Sequence, residues 1–195
     1  MAPDILSASR FRTLLRLLAC VALLGLGVAG PAHAQLSTEL DPKPQTPSAE
    51  VARLLREGRL DEALQRADVV LKANPRDAQT RFLRGVILSD QKKPADAQAV
   101  FESLAQDFPV LPEPLNNLAV LYAADGRYEL ARTTLHRAIA AQPNYVTAYE
   151  NLGDLYVAMA ADNYQRASQL DAKNRTAPAK LALARDLVTR LRAVR

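Results

Sequence analysis

The chain has no tryptophan, seven glycines, two histidines and a single cysteine among its 195 residues. Each scarcity excludes something. One thiol makes neither a disulfide framework nor a thiolate metal site, since both need several cysteines. Two histidines, His33 and His136, leave little for base or nucleophile chemistry. No strand-like run is apparent, so no glycine-rich phosphate loop can follow one.

What is present begins with a charged and then apolar start. Arg10, Arg12 and Arg16 precede a run from Leu17 to Gly30 without charge, and Ala32-His33-Ala34 follows it. Small residues at Ala32 and Ala34 fit a signal-peptidase site, so residues 1–34 read as a secretory leader cut between Ala34 and Gln35. The run is shorter than the roughly 20 apolar residues of a spanning helix, and no stable membrane span is expected after cleavage. An uncleaved anchor is the alternative. Cys20 does not read as a lipid-attachment site, because only three apolar residues separate it from Arg16.

Cleavage would remove Cys20 and His33, leaving His136 as the one histidine. The 25 basic and 21 acidic residues become 22 and 20, a net charge of +2. That gives no electrostatic case for nucleic acid. About 160 residues remain, enough for one domain with a buried core. Residues 35–47 are polar and contain Pro42, Pro44 and Pro47, as an extended tether would.

Beyond the tether, several columns of residues share one interval. Pro75, Pro109 and Pro143 are 34 residues apart, as are Ala63, Ala97 and Ala131. Leu54, Leu88, Tyr122 and Tyr156 form a fourfold column, and Gly85, Ala119 and Gly153 another. Gly58 and Gly126 stand two periods apart. Within a unit, apolar residues fall at helical spacing: Leu115, Leu118, Leu121 and Tyr122, then Leu130, Ala131, Leu135, Ala138 and Ile139. Asp125-Gly126-Arg127 interrupts them as a turn, and the prolines end the second helix. The small-residue columns predict places where a neighbouring helix passes close.

These residues resemble the tetratricopeptide repeat, whose period and small, aromatic and proline positions they match. The match is fullest at 112–145, through Leu118, Ala119, Tyr122, Gly126, Tyr128, Ala131, Leu135, Ala138 and Pro143. The unit at 78–111 departs at Lys92-Lys93-Pro94, where the turn glycine is missing. A degenerate first unit occupies 48–77. The fold expected is therefore all-α, a solenoid of helical hairpins with about three repeats, a degenerate fourth at 146–174 and a capping helix at 175–195. In the fourth unit no glycine or proline follows Tyr156, and Tyr164 comes five residues too soon. One long helix from about Thr147 to Ala172 is predicted, its apolar stripe continued by Met159, Ala160, Tyr164, Ala167 and Leu170. A tight turn at Asp162, capped by Gln165, is the alternative. In the last helix Thr176 is the expected N-cap, and Leu181, Ala184, Leu187, Val188 and Leu191 the apolar face. Its arginines are expected to face solvent, with contact to anionic polymers or lipid as the sharper alternative.

The resemblance implies a binding scaffold with a concave groove lined by the first helices. Its lining here would be Phe82, Val86, Ser89, Asn116, Val120, Ala123, Thr147, Glu150 and Asp154. The groove so composed is apolar at one end and mildly acidic at the other. It suits a mixed or basic peptide, or a partner helix, better than an acidic tail. No catalytic, cofactor-binding or metal residues are assigned. Asp61-Glu62 reads as the acidic first turn of a helix, Glu150 with Asp154 has too few ligands for a metal, and His136 reads as a surface residue. The expectation is an exported, non-catalytic adaptor for an unidentified protein, periplasmic or secreted, with a part in envelope assembly. The alternative is an accessory subunit or weak hydrolase of a cell-wall enzyme system, built on the last helices.

Overall fold

The computed structural model describes residues 46–193. Within that span eight helices and no strand occur: α1 (Pro47–Arg56), α2 (Leu60–Ala73), α3 (Ala78–Asp90), α4 (Pro94–Asp107), α5 (Pro112–Ala124), α6 (Tyr128–Ala141), α7 (Val146–Leu170) and α8 (Thr176–Ala193). Each packs on the next, and α1 also touches α3 as α5 touches α7. The result is an all-α helical-repeat solenoid. The leader expected at 1–34 and most of the tether lie outside the described residues. The tether ends earlier than its prolines suggested, because Thr46 caps α1 and Pro47 opens it: the Thr46 hydroxyl accepts from Ala49 N at 3.1 Å.

The 34-residue period fixes the helix ends themselves. α2, α4 and α6 begin at Leu60, Pro94 and Tyr128 and end at Ala73, Asp107 and Ala141. The turns between paired helices are equally regular. Arg59 N donates to Leu54 O at 3.0 Å, Lys93 N to Leu88 O at 2.9 Å and Arg127 N to Tyr122 O at 2.9 Å. Such a turn needs one residue in the left-handed region. Gly58 and Gly126 supply it with φ 74°, and Lys92 takes φ 62° in the unit that lacks the glycine. The hairpin therefore closes without its glycine, at a backbone cost that a side chain imposes there.

Small residues let the pairs close. Ala63, Ala97 and Ala131 are all fully buried, as the repeat predicted. Gly85 is pressed by the Phe101 ring, whose Cε1 would lie 2.5 Å from an added Cβ. Two apolar clusters result. Val51, Leu54, Ala63, Ala67, Leu83 and Ile87 form one at the N-terminal end. The larger runs from Val86 and Leu88 through Phe101, Leu115 and Leu135 to Leu155. Tyr122 adds a polar tie, its hydroxyl donating to Glu102 Oε1 at 2.8 Å while the Arg127 guanidinium lies 4.4 Å above its ring.

The fourth unit breaks the pattern. α7 is one helix of 25 residues, and Asp162 lies inside it, paired with Arg166 at 3.0 Å. No turn forms at Asp162. Because α7 runs on without a turn, no described helix packs over the side that carries Gly153 and Tyr156. Tyr156, whose column mates Leu54, Leu88 and Tyr122 are buried, stays 47% exposed. The close approach expected at Gly153 does not occur: nothing lies within 4 Å of a Cβ added there.

α8 runs back antiparallel to α7, its one substantial neighbour among the described residues. Ala177 and Ala184 are buried between them. Two expectations fail. Asn174, not Thr176, caps the helix, its Oδ1 accepting from Thr176 N at 3.0 Å and Ala177 N at 2.9 Å. Leu187 and Leu170 were placed inward but are exposed, since a single neighbour covers only a narrow arc of a helix.

Replacing Lys92→Gly should relieve the left-handed strain and raise stability by about 1 kcal/mol, read from urea unfolding. A second outcome follows from Tyr122 and Tyr145. Burial first, with Glu102 and Glu113 respectively adding to it, pushes each phenol up to about 12. The fold thus favours the neutral phenols. Their stabilisation is complete below the ordinary tyrosine value of about 10 and is lost as pH rises towards 12. Tyrosinate absorbance should show these two ionising last, together with loss of helical circular dichroism.

Candidate binding face

The first helices of successive units, α3, α5 and α7, each present the same register positions. Phe82, Asn116 and Glu150 share one 34-residue column, and Val86, Val120 and Asp154 another. Both columns are more open at α7 than at α3. Phe82 is half-buried, with its ring 5.9 Å from that of Phe101, and Val86 is buried in the core at 2% exposure. Ser89 is half-buried, and Ala123, expected beside it, is buried. At the other end Val120, Thr147 and Asp154 are half-buried and Glu150 is exposed. Val86 and Ala123 therefore support the face from below, and the accessible part lies over α5 and α7.

The floor of that part is made of amides. Asn151 Nδ2 donates to Asn116 Oδ1 at 2.8 Å, tying α7 to α5. Asn117, the next residue along α5, is 7% exposed, with no side-chain hydrogen bond to any described residue. Asn116 was read as a groove residue, whereas Asn117 and Asn151 were not. Their signal was nonetheless in the sequence: they stand 34 residues apart, in the column that begins with buried Leu83. A buried amide carries donors and acceptors that need partners, at a cost of roughly 1–3 kcal/mol for each left unmet. The rim is acidic, with half-buried Glu113 joining Glu150 and Asp154.

Elsewhere the polar groups are paired structurally. An open cleft of about 580 Å³ between α2, α3 and α4 exposes Arg81 and Arg84, but Asp107 meets the first at 2.7 Å and Asp68 the second at 2.8 Å. Asp61 accepts from Gln91 at 2.8 Å, Glu62 is held by Arg59, and His136 is exposed. Among the described residues no three acids, histidines or cysteines gather as a metal set. No described helix is long and apolar enough to cross a membrane.

Comparison with known proteins agrees with this geometry. Two family models, both described as tetratricopeptide repeat, match residues 49–112 and 88–153. The chain belongs to the tetratricopeptide-repeat family. Among solved structures, the first tetratricopeptide domain of human RPAP3 superposes with a TM-score of 0.56 at 18% identity, over 60% of this chain and 92% of that one. MamA superposes at 0.52 with 24% identity, over 72% and 89%. A thermophilic repeat protein of Thermus thermophilus gives 0.54 with 18% identity, over 74% and 84%. At such identities the likeness speaks for the fold alone. No curated protein matches the sequence. Tetratricopeptide domains bind protein or peptide partners, and the Spaghetti (RPAP3) domain has been solved with an HSP90 peptide, SRMEEVD. Interaction with another protein is thus the general role of this scaffold.

Leu83 shows that the Asn117 column accepts an apolar residue of that size. Asn117→Leu should therefore leave the melting temperature unchanged or higher, by up to about 1 kcal/mol in stability. The same change should weaken partner capture about tenfold, the loss expected for one buried hydrogen-bonding group. Thermal melts and a pull-down check the two halves.

Proposed function

We propose that the chain is an exported scaffold, without catalysis of its own, that holds another protein along the α5–α7 face in the cell envelope, with a part in envelope assembly. The observation that carries the binding reading is the set of three buried amides, Asn116 and Asn151 joined between α5 and α7 and Asn117 next along α5, on helices with an acidic rim. Amides at the floor can pair with the main chain of an extended segment, or with polar side chains of a helix. Glu113, Glu150 and Asp154 favour a segment that carries Lys or Arg. An acidic tail is repelled. Export rests on Arg10, Arg12 and Arg16, the apolar run Leu17–Gly30 and the small residues before Gln35.

Intact mass of protein extracted from an envelope fraction should correspond to a chain beginning at Gln35. Affinity capture from the same fraction should recover a protein that is lost with Glu150→Lys or Asn151→Leu. A precursor mass would refute export with cleavage. Capture unaffected by either substitution would refute the α5–α7 face as the binding site.

A further inference from the structure

α8 lies along the same row of α7 that lines the binding face. On α7, Thr147, Glu150 and Asp154 belong to that face, and Val157, Ala161 and Tyr164 continue them at alternating steps of three and four residues. Such a row stays on one side of a helix. Its far end is held by α8: Lys180 Nζ lies 5.7 Å from the centre of the Tyr164 ring, and Arg185 Nη2 donates to Gln165 Oε1 at 2.9 Å. From those contacts antiparallel α8 runs back towards the binding face. Leu191 is eleven residues past Lys180 and six past Arg185, and the same counts back from Tyr164 and Gln165 reach Gly153 and Met159. Exposure follows the same course. Tyr164, Ala161, Val157 and Asp154 are half-buried, and Glu150, past that reach, is exposed.

What α8 lays on the row is an amphipathic stripe. Ala177, Leu181, Ala184, Val188 and Leu191 follow one another at steps of four and three, and every other described side chain of α8 is exposed. Since α7 is its one substantial neighbour, the stripe meets α7. The row therefore accepts the aliphatic side of a helix, one of the recurring ways a groove takes a partner. The grip is shallow. Only the two alanines are buried, while Leu181, Val188 and Leu191 stay half-buried. α6, in the body of the array, buries Ala131, Thr134, Leu135 and Ala138. A helix held on one side through two buried alanines opens more readily than the array it rests on.

We infer that α8 is a displaceable cover of the binding face: the chain's own amphipathic helix, lying where a partner helix with a like aliphatic stripe would lie. This rests on the reading of the α5–α7 face as the binding site. With α8 in place, a partner reaches the amide floor and only the first turns of α7. With α8 swung away at residues 171–175, the whole row is open. Affinity for the partner is lowered by the fraction of chains in which α8 is closed.

Ala184→Glu combined with Val188→Glu puts charge into the contact and should free α8 in the chain from Gln35 onward, with α1 to α7 still melting as in the unaltered chain. A synthetic peptide of residues 175–195, titrated to millimolar concentration, should then shift the amide NMR signals of Val157, Ala161 and Tyr164. The unaltered chain should bind it at least about tenfold more weakly, because its own helix competes at high local concentration. Adding Ala161→Glu to the freed variant should abolish the shifts. Gln165→Cys with Arg185→Cys, bridged by a short bis-maleimide, holds α8 closed. A protein captured from the envelope fraction through the α5–α7 face should bind the freed variant about tenfold more tightly and the bridged one about tenfold less. A peptide that binds both chains equally, or neither, overturns the inference, as does an array that unfolds when α8 is freed. Capture that depends on Glu150 or Asn151 yet ignores both freeing and bridging overturns it too. Capture of nothing by any form refutes the binding face, and the peptide result still decides whether α8 is displaceable.

Discussion

The architecture depends on how closely paired helices can approach. Ala63, Ala97 and Ala131 are fully buried at equivalent points of three successive hairpins, and Gly85 yields its side-chain volume to Phe101. A larger residue at any of these points would push one helix off its neighbour and, through the neighbour, disturb the next. Close packing of this kind is intolerant of added volume. The regular step of the solenoid, and with it the alignment of α3, α5 and α7 along one face, follows from that spacing.

Much of this could be read from residue order because the constraint repeats. A position that must be small recurs as a column, and a column is visible without coordinates. Helix ends recur too, since the prolines and turn glycines that set them recur. The long α7 was readable for the opposite reason: between Tyr156 and Tyr164 nothing occurs that would stop a helix. The departures came where an element has fewer neighbours than its pattern implies. Leu187 and Leu170 sit at apolar helical spacing, but spacing reports that a face is apolar and says nothing about how many helices arrive to cover it. Gly153 misled in the same way, as the column carried the small residue forward to a unit whose covering helix is absent. At the start of α8 the cap is Asn174, two residues before the expected Thr176, a shift of the size by which helix starts commonly move.

The binding face was less legible. Register placed Phe82, Asn116 and Glu150 in one column, yet their exposure differs from buried to open, because neighbouring helices close in on α3 and α5 while α7 keeps one side free. Asn117 and Asn151 were concealed by their neighbours: polar residues within an apolar helix read as solvent-facing unless the burial of the whole column is known. Buried amides of this kind are costly unless something meets them, which makes them informative about binding once they are seen.

Of the described helices, α3 alone puts buried side chains into both apolar clusters. It sends Leu83 and Ile87 into the N-terminal cluster and Val86 and Leu88 into the larger one. Nearest-neighbour arrays tend to melt in segments, each hairpin holding or failing by itself. A helix shared between both cores works against that tendency. It makes loss of the first hairpin felt by the rest, so that a modular chain behaves as a single cooperative body for as long as α3 keeps both of its sides filled.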